Sequence, residues 1–198
     1  MENTDSKRAI LEAAVRVAQR EGFSGLTIDA VAREAGISKG GLFHYFPTKQ
    51  HLLQAVVEHF GLEAAAVLKN RIERIPADEK ARMIRAMFSV AFPEFHGSSP
   101  ETDPEHQYMR SHRDFMLGMM VASRDNRDLV LRLRGQTRML MQSLLSDPET
   151  ANKELLLWLA MDGLWMWRLM GIVEDADDLY QTIGRMLVEE AQGLSGGQ

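Results

Sequence analysis

Hydrophobic positions along most of this chain recur every three or four residues, which is the period of an amphipathic α-helix. The first helix is predicted to begin at Asp5 or Ser6 and to end before Gly22. Its apolar face includes Ile10 and Val17. No stretch alternates apolar and polar residues for long enough to make a β-strand. The pattern therefore predicts an all-α fold of about nine helices.

The other helices are predicted to follow one another with short breaks. Their predicted bounds are residues 28–35, 39–45, 48–74, 77–91, 105–123, 125–146, 148–171 and 175–193. Thr27, Ser38 and Thr48 each stand where an N-cap hydroxyl would accept a hydrogen bond from a helix-start amide. Residues 93–104, rich in glycine, serine, proline and acids, are predicted to form a flexible loop.

Composition excludes several classes of protein. The chain has 198 residues, 45% of them hydrophobic, which is enough to bury a core in one or two domains. It has no cysteine, so a disulfide scaffold, a thiolate zinc site and a cysteine nucleophile are excluded. The polar start of the chain is unlike a signal peptide, and charges interrupt the apolar stretch at residues 155–173. We therefore expect a cytoplasmic protein with no membrane partner.

Charge is distributed unevenly. The net charge of −5 argues against a nucleic-acid partner for the chain as a whole. Residues 1–49, however, hold 7 basic and 6 acidic side chains, which leaves 16 basic and 22 acidic ones for the rest. The first part is thus slightly basic and the remainder acidic, which predicts different partners for the two parts.

Residues 26–49 have the pattern of a helix-turn-helix. The first short helix ends at Ala35, and Gly36 can adopt the left-handed conformation that turns the chain sharply. Ser38 then caps a second short helix, and Ala32 is small enough to let that helix approach closely. In such a motif the second helix enters the major groove of DNA.

The outward face of the second helix offers a lysine, two glycines and three aromatic rings, and no acid. Glycines let the backbone approach a partner closely, whereas the polar side chains suit phosphates and base edges. Flanking helix starts add hydroxyls and a further cation. The predicted DNA-binding residues are Thr27, Ser38, Lys39, Gly40, Gly41, Phe43, His44, Tyr45 and Lys49. The alternative is a pair of short helices that serves packing only.

These residues resemble the TetR/AcrR family of bacterial ligand-responsive transcriptional regulators. The resemblance covers about residues 10–57 and is carried by Ala30 to Gly40 together with Tyr45 to Lys49. It implies a three-helix DNA-binding domain, here residues 1–49, and a divergent helical ligand-binding and dimerisation domain, here residues 50–198. It also implies a homodimer and assigns DNA contact to the residues above. Gly41 stands where many members have threonine, and Phe43 where tyrosine is frequent.

The two adjacent glycines have a consequence of their own. Each costs a helix about 1 kcal/mol relative to alanine. Gly40 and Gly41 therefore predict a recognition helix that frays in the free protein and becomes ordered on DNA.

Residues 155–170 are apolar all around a predicted helix, so every side of this helix has to be covered. We expect one side to contact the same helix of a second subunit, which gives an isologous four-helix interface together with the last helix. The predicted interface residues are Leu156, Ala160, Gly163, Trp167, Leu179, Ile183, Met186 and Leu187. The alternative is an ordinary buried core helix.

Methionine and aromatic residues are concentrated in the second part, and flexible thioethers suit an adaptable binding site. The predicted ligand-binding residues are Phe88, Phe92, Phe115, Met116, Met119, Met139, Trp158, Met161, Asp162 and Trp165. They predict a small hydrophobic or aromatic effector. Asp162 would pair with a cationic ligand or bond within the protein, so the charge of the ligand stays open. The alternative is that the methionines fill gaps in a core.

No catalytic, cofactor or metal motif stands out. The chain lacks a phosphate loop, a nucleophile elbow and a dinucleotide fingerprint, and we expect no enzyme activity and no cofactor. His96, His106 and His112 lack metal-ligand spacing and are interpreted as loop histidines.

Together these patterns predict a ligand-responsive regulator, a repressor that binds a palindromic operator as a homodimer and is released by its effector. The alternative is a helical small-molecule binding protein or enzyme that does not bind DNA.

Overall fold

The computed structural model of the chain describes residues 2–97, 99, 101–122 and 127–195. In these ranges it contains nine α-helices, one 3-10 helix and no β-strand, which confirms the all-α prediction. The α-helices are α1 Glu2–Gly25, α2 Ile28–Glu34, α3 Lys39–Tyr45, α4 Lys49–Glu73, α5 Arg82–Ala91, α6 Pro104–Ala122, α7 Arg127–Leu144, α8 Ala151–Leu169 and α9 Asp178–Gly193. The 3-10 helix is Pro93–His96. None of the helices described has an apolar stretch that would suffice to cross a bilayer.

Hydroxyl caps begin three of the first four helices, as predicted. The Thr27 hydroxyl accepts a hydrogen bond from the Ala30 amide at 3.2 Å, at the start of α2. The Ser38 hydroxyl accepts from the Gly41 amide at 3.0 Å, at the start of α3. Thr48 accepts from a backbone amide of α4 in the same way. Each cap satisfies an amide that would otherwise lack a partner within its helix.

Several helix boundaries differ from the prediction; α8 and α9, for example, each begin three residues later than predicted, at Ala151 and Asp178. Helix α1 begins at Glu2, and Gly22, with φ of 69°, interrupts it instead of ending it. Helix α5 begins only at Arg82, because Ala81 has φ of 53°, which is outside the right-handed helical region. The predicted loop begins with the 3-10 helix, which Pro93 starts with its restricted φ.

The chain forms two compact units. The first comprises Met1–Ala64 and Ser111–Val130, and the second comprises Ala65–Arg110 and Leu131–Gln198. The first part of α4 belongs to the first unit, where Leu52, Val56 and Phe60 are fully buried. The boundaries of these units therefore differ from the predicted domain boundary between residues 49 and 50. That boundary, which separates DNA binding from ligand binding and dimerisation, stays a prediction.

The core of the first unit draws on α1 to α4 and on part of α6. Val31 of α2 and Leu42 of α3 have no exposed area. The Phe60 ring stacks on Phe115 with the ring centroids 5.0 Å apart. His112 lies beside Phe60. Because burial disfavours the charged imidazolium, the pKa of His112 falls to about 4, and the ring is neutral near neutral pH.

The core of the second unit is aromatic and lies between α5, the 3-10 helix and α9. Phe92 packs edge-to-face on Phe88 at 5.9 Å and lies 6.0 Å from the Tyr180 ring. Gly184 of α9 allows this approach, since a Cβ atom there would lie 3.0 Å from Phe92 and 3.2 Å from Phe95. The missing side chain of Gly184 therefore sets how closely α9 can pack on the aromatic cluster.

We expect Gly184→Ala to lower the free energy of unfolding by about 1 kcal/mol, because overpacking in this core outweighs the gain in helix propensity. Gly135→Ala is the matched control, since a Cβ atom at Gly135 of α7 would meet no atom within 4 Å. Urea unfolding of both variants gives the comparison. Equal or higher stability of Gly184→Ala than of Gly135→Ala would contradict the packing described.

Candidate nucleic-acid interface

Helices α2 and α3 are joined by a tight turn. Gly36 occupies the turn with φ of 67°, a conformation that favours glycine. The Ile37 amide donates to the Ala32 carbonyl at 3.0 Å, which closes the turn over the end of α2. Leu42 of α3 and Phe46 at its C-cap are buried. The turn and these two side chains determine which face of α3 points inward.

The outward face of α3 carries the residues predicted from the sequence. Lys39, Gly40, Phe43 and His44 are exposed, and Tyr45 is partly buried. Phe43 retains 39% of its surface in solvent. Of the remaining predicted residues, three are exposed and Gly41 is partly buried; the exposed ones are Thr27, Ser38 and Lys49. We call Lys39, Gly40, Phe43, His44 and Tyr45 the recognition surface.

One contact of the recognition surface was missed by the sequence analysis. The Lys39 ammonium pairs with Asp29 of α2, with Nζ 2.9 Å from Oδ1. Helix α3 itself carries no acid, but α2 supplies one ten residues earlier in the chain. Since both side chains are more than half exposed, the pair contributes little to stability. A phosphate would compete with Asp29 for Lys39.

Ion pairs also hold α2 against α1. Glu34 accepts hydrogen bonds from Arg16 Nε at 2.8 Å and from Arg20 Nη1 at 3.2 Å. The hydrogen bond from Arg16 is the largest cause of a lowered pKa of Glu34. The Lys7 ammonium lies over the Phe46 ring, 5.6 Å from its centroid. These contacts orient the helix pair relative to α1.

Helix α8 separates its apolar residues into two sides, as predicted. Trp158, Met161 and Trp165 are buried in the chain. The predicted interface residues of this helix are exposed; they are Leu156, Ala160, Gly163 and Trp167. On the surface of a single chain, this second set forms an apolar stripe in solvent.

Helix α9 adds to the stripe with one difference from the prediction. Leu179 and Met186 are exposed, and Ile183 is partly buried. Leu187 is 8% exposed and lies on the buried side of α9 with Val188. Leu187 therefore packs into its own chain and is excluded from the exposed stripe.

The predicted ligand-binding residues fall in both units and differ in their exposure. Five of them are buried in the second unit, namely Phe88, Phe92, Trp158, Met161 and Trp165. Asp162 is partly buried and Met139 is 71% exposed, so Met139 lies outside this buried group. Phe115 and Met116 belong to the first unit. The side chain of Met119 lies outside the described residues.

Two histidines differ from their interpretation as loop residues. His106 and His112 lie on α6, and both rings are largely buried. His106 Nδ1 lies 2.6 Å from the Val90 carbonyl oxygen. His96 belongs to the 3-10 helix. Among the residues that the structure describes, no group of three or more histidines and acids is placed to hold a metal ion.

Two family models match this chain. The model described as bacterial regulatory proteins of the tetR family matches residues 10–56. The model described as the tetracyclin repressor-like C-terminal domain matches residues 81–191, which is more than half of the chain.

Curated relatives include two named regulators. The chain is 34% identical over 98 residues to the HTH-type transcriptional regulator EthR of Mycolicibacterium smegmatis, which covers 50% of this chain and 44% of EthR. It is 26% identical over 168 residues to the HTH-type transcriptional regulator BetI of Escherichia coli, covering 81% and 80%. The match thus spans less than half of EthR.

Solved structures share the fold. A transcriptional regulator from Saccharomonospora viridis in complex with choline has a TM-score of 0.72 at 18% identity, with 96% of each chain covered. A transcriptional regulator from Rhodococcus has a TM-score of 0.70 at 20% identity, with 95% of each chain covered.

The turn-linked helices, with their buried inner side and exposed outer side, define a helix-turn-helix protein. The family models specify which kind: the chain belongs to the TetR family of bacterial regulatory proteins. This confirms the resemblance and the predicted fold. The curated relatives above are both named as transcriptional regulators of the HTH type.

The stability of α3 can be changed in both directions. We expect Gly40→Ala to slow amide exchange at residues 42–45 of the free protein about fivefold, because alanine is favoured over glycine by about 1 kcal/mol in a helix. The alanine would fit, since the nearest atom to its Cβ is Ser38 Oγ at 3.9 Å. Ser38→Ala should speed the same exchange by a similar factor, because the cap is lost. Hydrogen exchange followed by NMR measures both, and unchanged rates in the two variants would contradict a marginally stable α3.

Proposed function

We propose that this chain is a ligand-responsive transcriptional repressor that binds a palindromic DNA operator as a homodimer. In this proposal a small hydrophobic or aromatic effector releases it from DNA, and it acts in the bacterial cytoplasm. The observation that carries the proposal is the recognition surface, an exposed set of a cation, rings and bare backbone on a helix that a turn holds outward. Membership of the family supports DNA binding in general, whereas the individual contacts are proposed for this chain.

On DNA, α3 would lie in the major groove, which is wide enough for one helix. Gly40 lets the backbone approach the bases, while Lys39 leaves Asp29 for a phosphate or a guanine edge. His44 and Tyr45, whose rings lie edge to face at 5.4 Å, would donate to phosphates or base edges. The hydroxyl of Thr27 and the ammonium of Lys49 add phosphate contacts at the starts of the neighbouring helices.

A single α3 makes too few contacts for specific binding, so the proposal includes a second copy. The exposed stripe of Leu156, Ala160, Gly163 and Trp167 on α8 is a self-complementary surface, because small residues there allow two helices to approach closely. Leu179 and Met186 of α9 extend it. Such a dimer would place two recognition helices at half-sites about 34–36 Å apart.

The response to a ligand would be a shift between two geometries of the dimer. An effector that binds the second unit more tightly in the geometry unsuited to DNA weakens operator binding by the same coupling. Couplings of this kind are typically about 1–3 kcal/mol, which corresponds to about 5–150-fold in affinity. The buried Phe88, Phe92, Trp158, Met161 and Trp165 supply aromatic and thioether contacts for an apolar effector.

The second candidate is a helical ligand-binding protein or enzyme that does not bind DNA. The tight turn that holds α3 outward and the match of residues 10–56 to the tetR family model favour the regulator over this candidate.

Lys39→Glu tests the proposal that the recognition surface binds DNA. We expect at least a hundredfold loss of affinity for a duplex selected from a random-sequence library by the wild-type chain, since the change replaces an attraction to phosphate by a repulsion (about 3 kcal/mol or more). Fluorescence anisotropy at several salt concentrations measures it. Circular dichroism should show the same helix content as the wild type, because Lys39 is exposed.

Lys69→Glu is the matched control, an equal change of charge at an exposed lysine of α4 in the second unit. It should bind the selected duplex within about twofold of the wild type, because surface charges far from DNA are screened. Asp29→Asn, which releases Lys39, should bind at least as tightly as the wild type. If Lys39→Glu and Lys69→Glu bind equally well, the recognition surface does not contact DNA.

Ala160→Glu tests whether the exposed stripe of α8 forms the dimer interface. We expect it to convert a dimer into a monomer in sedimentation equilibrium, because two carboxylates would be buried against each other across the twofold axis. Ala160 is exposed in the single chain, so the fold should be retained. Ala66→Glu, at an exposed alanine of α4, should leave the dimer intact. Dimers of equal stability in both variants would place the interface elsewhere.

A further inference from the structure

A cavity of about 260 Å³ opens in the second unit. The end of α4, the middle of α5, the 3-10 helix and the last turns of α9 form it. Its lining consists of Arg71, Arg74, Ile75, Arg85, Phe88, Ser89, His96, Val188, Ala191 and Gln192. Phe88 is the one residue that this lining shares with the predicted ligand-binding set.

Part of the lining is apolar and well packed. Phe88, Val188 and Ala191 are almost completely buried, and Ile75 is partly buried. A flat ring or a short hydrocarbon body can contact these side chains without losing hydrogen bonds to water. The volume is close to the lower end of the usual range for ligand sites, about 300–1,000 Å³, which favours a small ligand.

The charged part of the lining is entirely cationic. Three arginines contribute to it, and none of the described lining residues is a carboxylate. Ser89, His96 and Gln192 add neutral hydrogen-bonding groups. A cationic ligand would face three guanidinium groups and no carboxylate of the described lining, whereas an anionic ligand would face the charged donors of the arginines.

Carboxylates outside the lining hold two of the arginines in place. Arg71 donates from Nε to Glu105 and from Nη2 to Asp103, the latter at 2.6 Å. Arg74 donates from Nη2 to the same Glu105 at 3.2 Å. The side chain of Arg71 is only 13% exposed, so its guanidinium is desolvated and oriented before any ligand arrives. Oriented donors lose little conformational entropy when they bind a ligand.

Among the three arginines of the lining, Arg85 has the most N–H groups that are not donated to a protein acid. Within the described ranges, its side chain donates one hydrogen bond, from Nη1 to Glu79. A guanidinium has five N–H donors on three nitrogen atoms, so Nε and Nη2 of Arg85 are left for another acceptor. An arginine that binds a protein acid along one edge can therefore bind a ligand carboxylate along another.

We infer that this cavity binds a small organic anion, a carboxylate attached to an apolar or aromatic body. The carboxylate bonds to Arg85 and lies near Arg71 and Arg74, and the body packs on Phe88 and Val188. The inference concerns binding by the second unit. The additional inference that such an anion is the effector rests on the proposed function.

Three probes with one aromatic body test the inference: 3-phenylpropionate, 3-phenylpropan-1-ol and 3-phenylpropylammonium. Isothermal titration calorimetry on the full chain measures each affinity. We expect the carboxylate to bind at least about tenfold more tightly than the alcohol, because hydrogen bonds to charged groups are stronger than neutral ones, and the ammonium to bind most weakly. Binding of the ammonium as tight as that of the carboxylate, or binding of none of the three, would overturn the inference.

Variants locate the binding. Arg85→Gln should weaken the carboxylate about tenfold or more and leave the alcohol nearly unchanged, because it removes one charge from the lining. Arg138→Gln, which removes a charge from an exposed arginine of α7 outside the lining, should bind the carboxylate like the wild type. Ser89→Leu keeps every charge but fills the cavity, so it should weaken the binding of both the carboxylate and the alcohol. Circular dichroism verifies the fold of each variant. Wild-type affinity for the carboxylate in both Arg85→Gln and Ser89→Leu would place its site elsewhere and overturn the inference.

A separate arm tests the role of the site. Adding the carboxylate to the complex with the selected duplex should weaken DNA binding in the wild type and not in Ser89→Leu. Binding of the carboxylate at the cavity with no change on DNA supports the anion site and contradicts the proposed ligand response. The two failures are thus distinguishable.

Discussion

The turn between α2 and α3 is the constraint on which the DNA-binding half depends. Helix α3 has seven residues, too few for a stable helix on its own, and two of them are glycines. It persists because Ser38 caps its first turn and because Leu42 is fully buried, with Phe46 buried directly after it. Gly36 makes the turn that allows this burial. Since the inward side is committed to packing, the recognition surface can only face outward.

The second unit distributes its apolar residues differently. Helix α8 carries large apolar residues on two sides, and the single chain buries only the side with Trp158 and Trp165. Its other side stays in contact with water, which is unfavourable for apolar side chains. A second copy of the chain would cover that side and remove the contact. Polar chemistry is concentrated at another place, where Arg71 and Arg85 line a cavity while their partner acids lie outside the lining. In the proposed function, assembly and ligand binding thus involve separate surfaces of this unit.

Local signals in the sequence were enough to predict α2, α3 and their caps, because a hydroxyl before a helix and a glycine after it act over a few residues. The late start of α5 was not predictable in this way, since it depends on a left-handed conformation at Ala81 that no sequence pattern marks. Leu187 follows the apolar period of α9, but which part of an apolar face is covered by the same chain depends on tertiary packing. The arginine-lined cavity joins positions more than a hundred residues apart, so no short motif reveals it.

The most direct test of the account uses the absence of cysteine from this chain. A Pro47→Cys variant carries a single thiol at an exposed position directly after α3, beside the recognition surface and outside it. Iron–EDTA attached to this thiol cleaves DNA near residue 47 in the complex with the selected duplex. The account predicts two clusters of cleavage in the duplex, about 10 base pairs apart and related by the operator's twofold symmetry. Cleavage spread evenly along the bound duplex, or none at all, would contradict it.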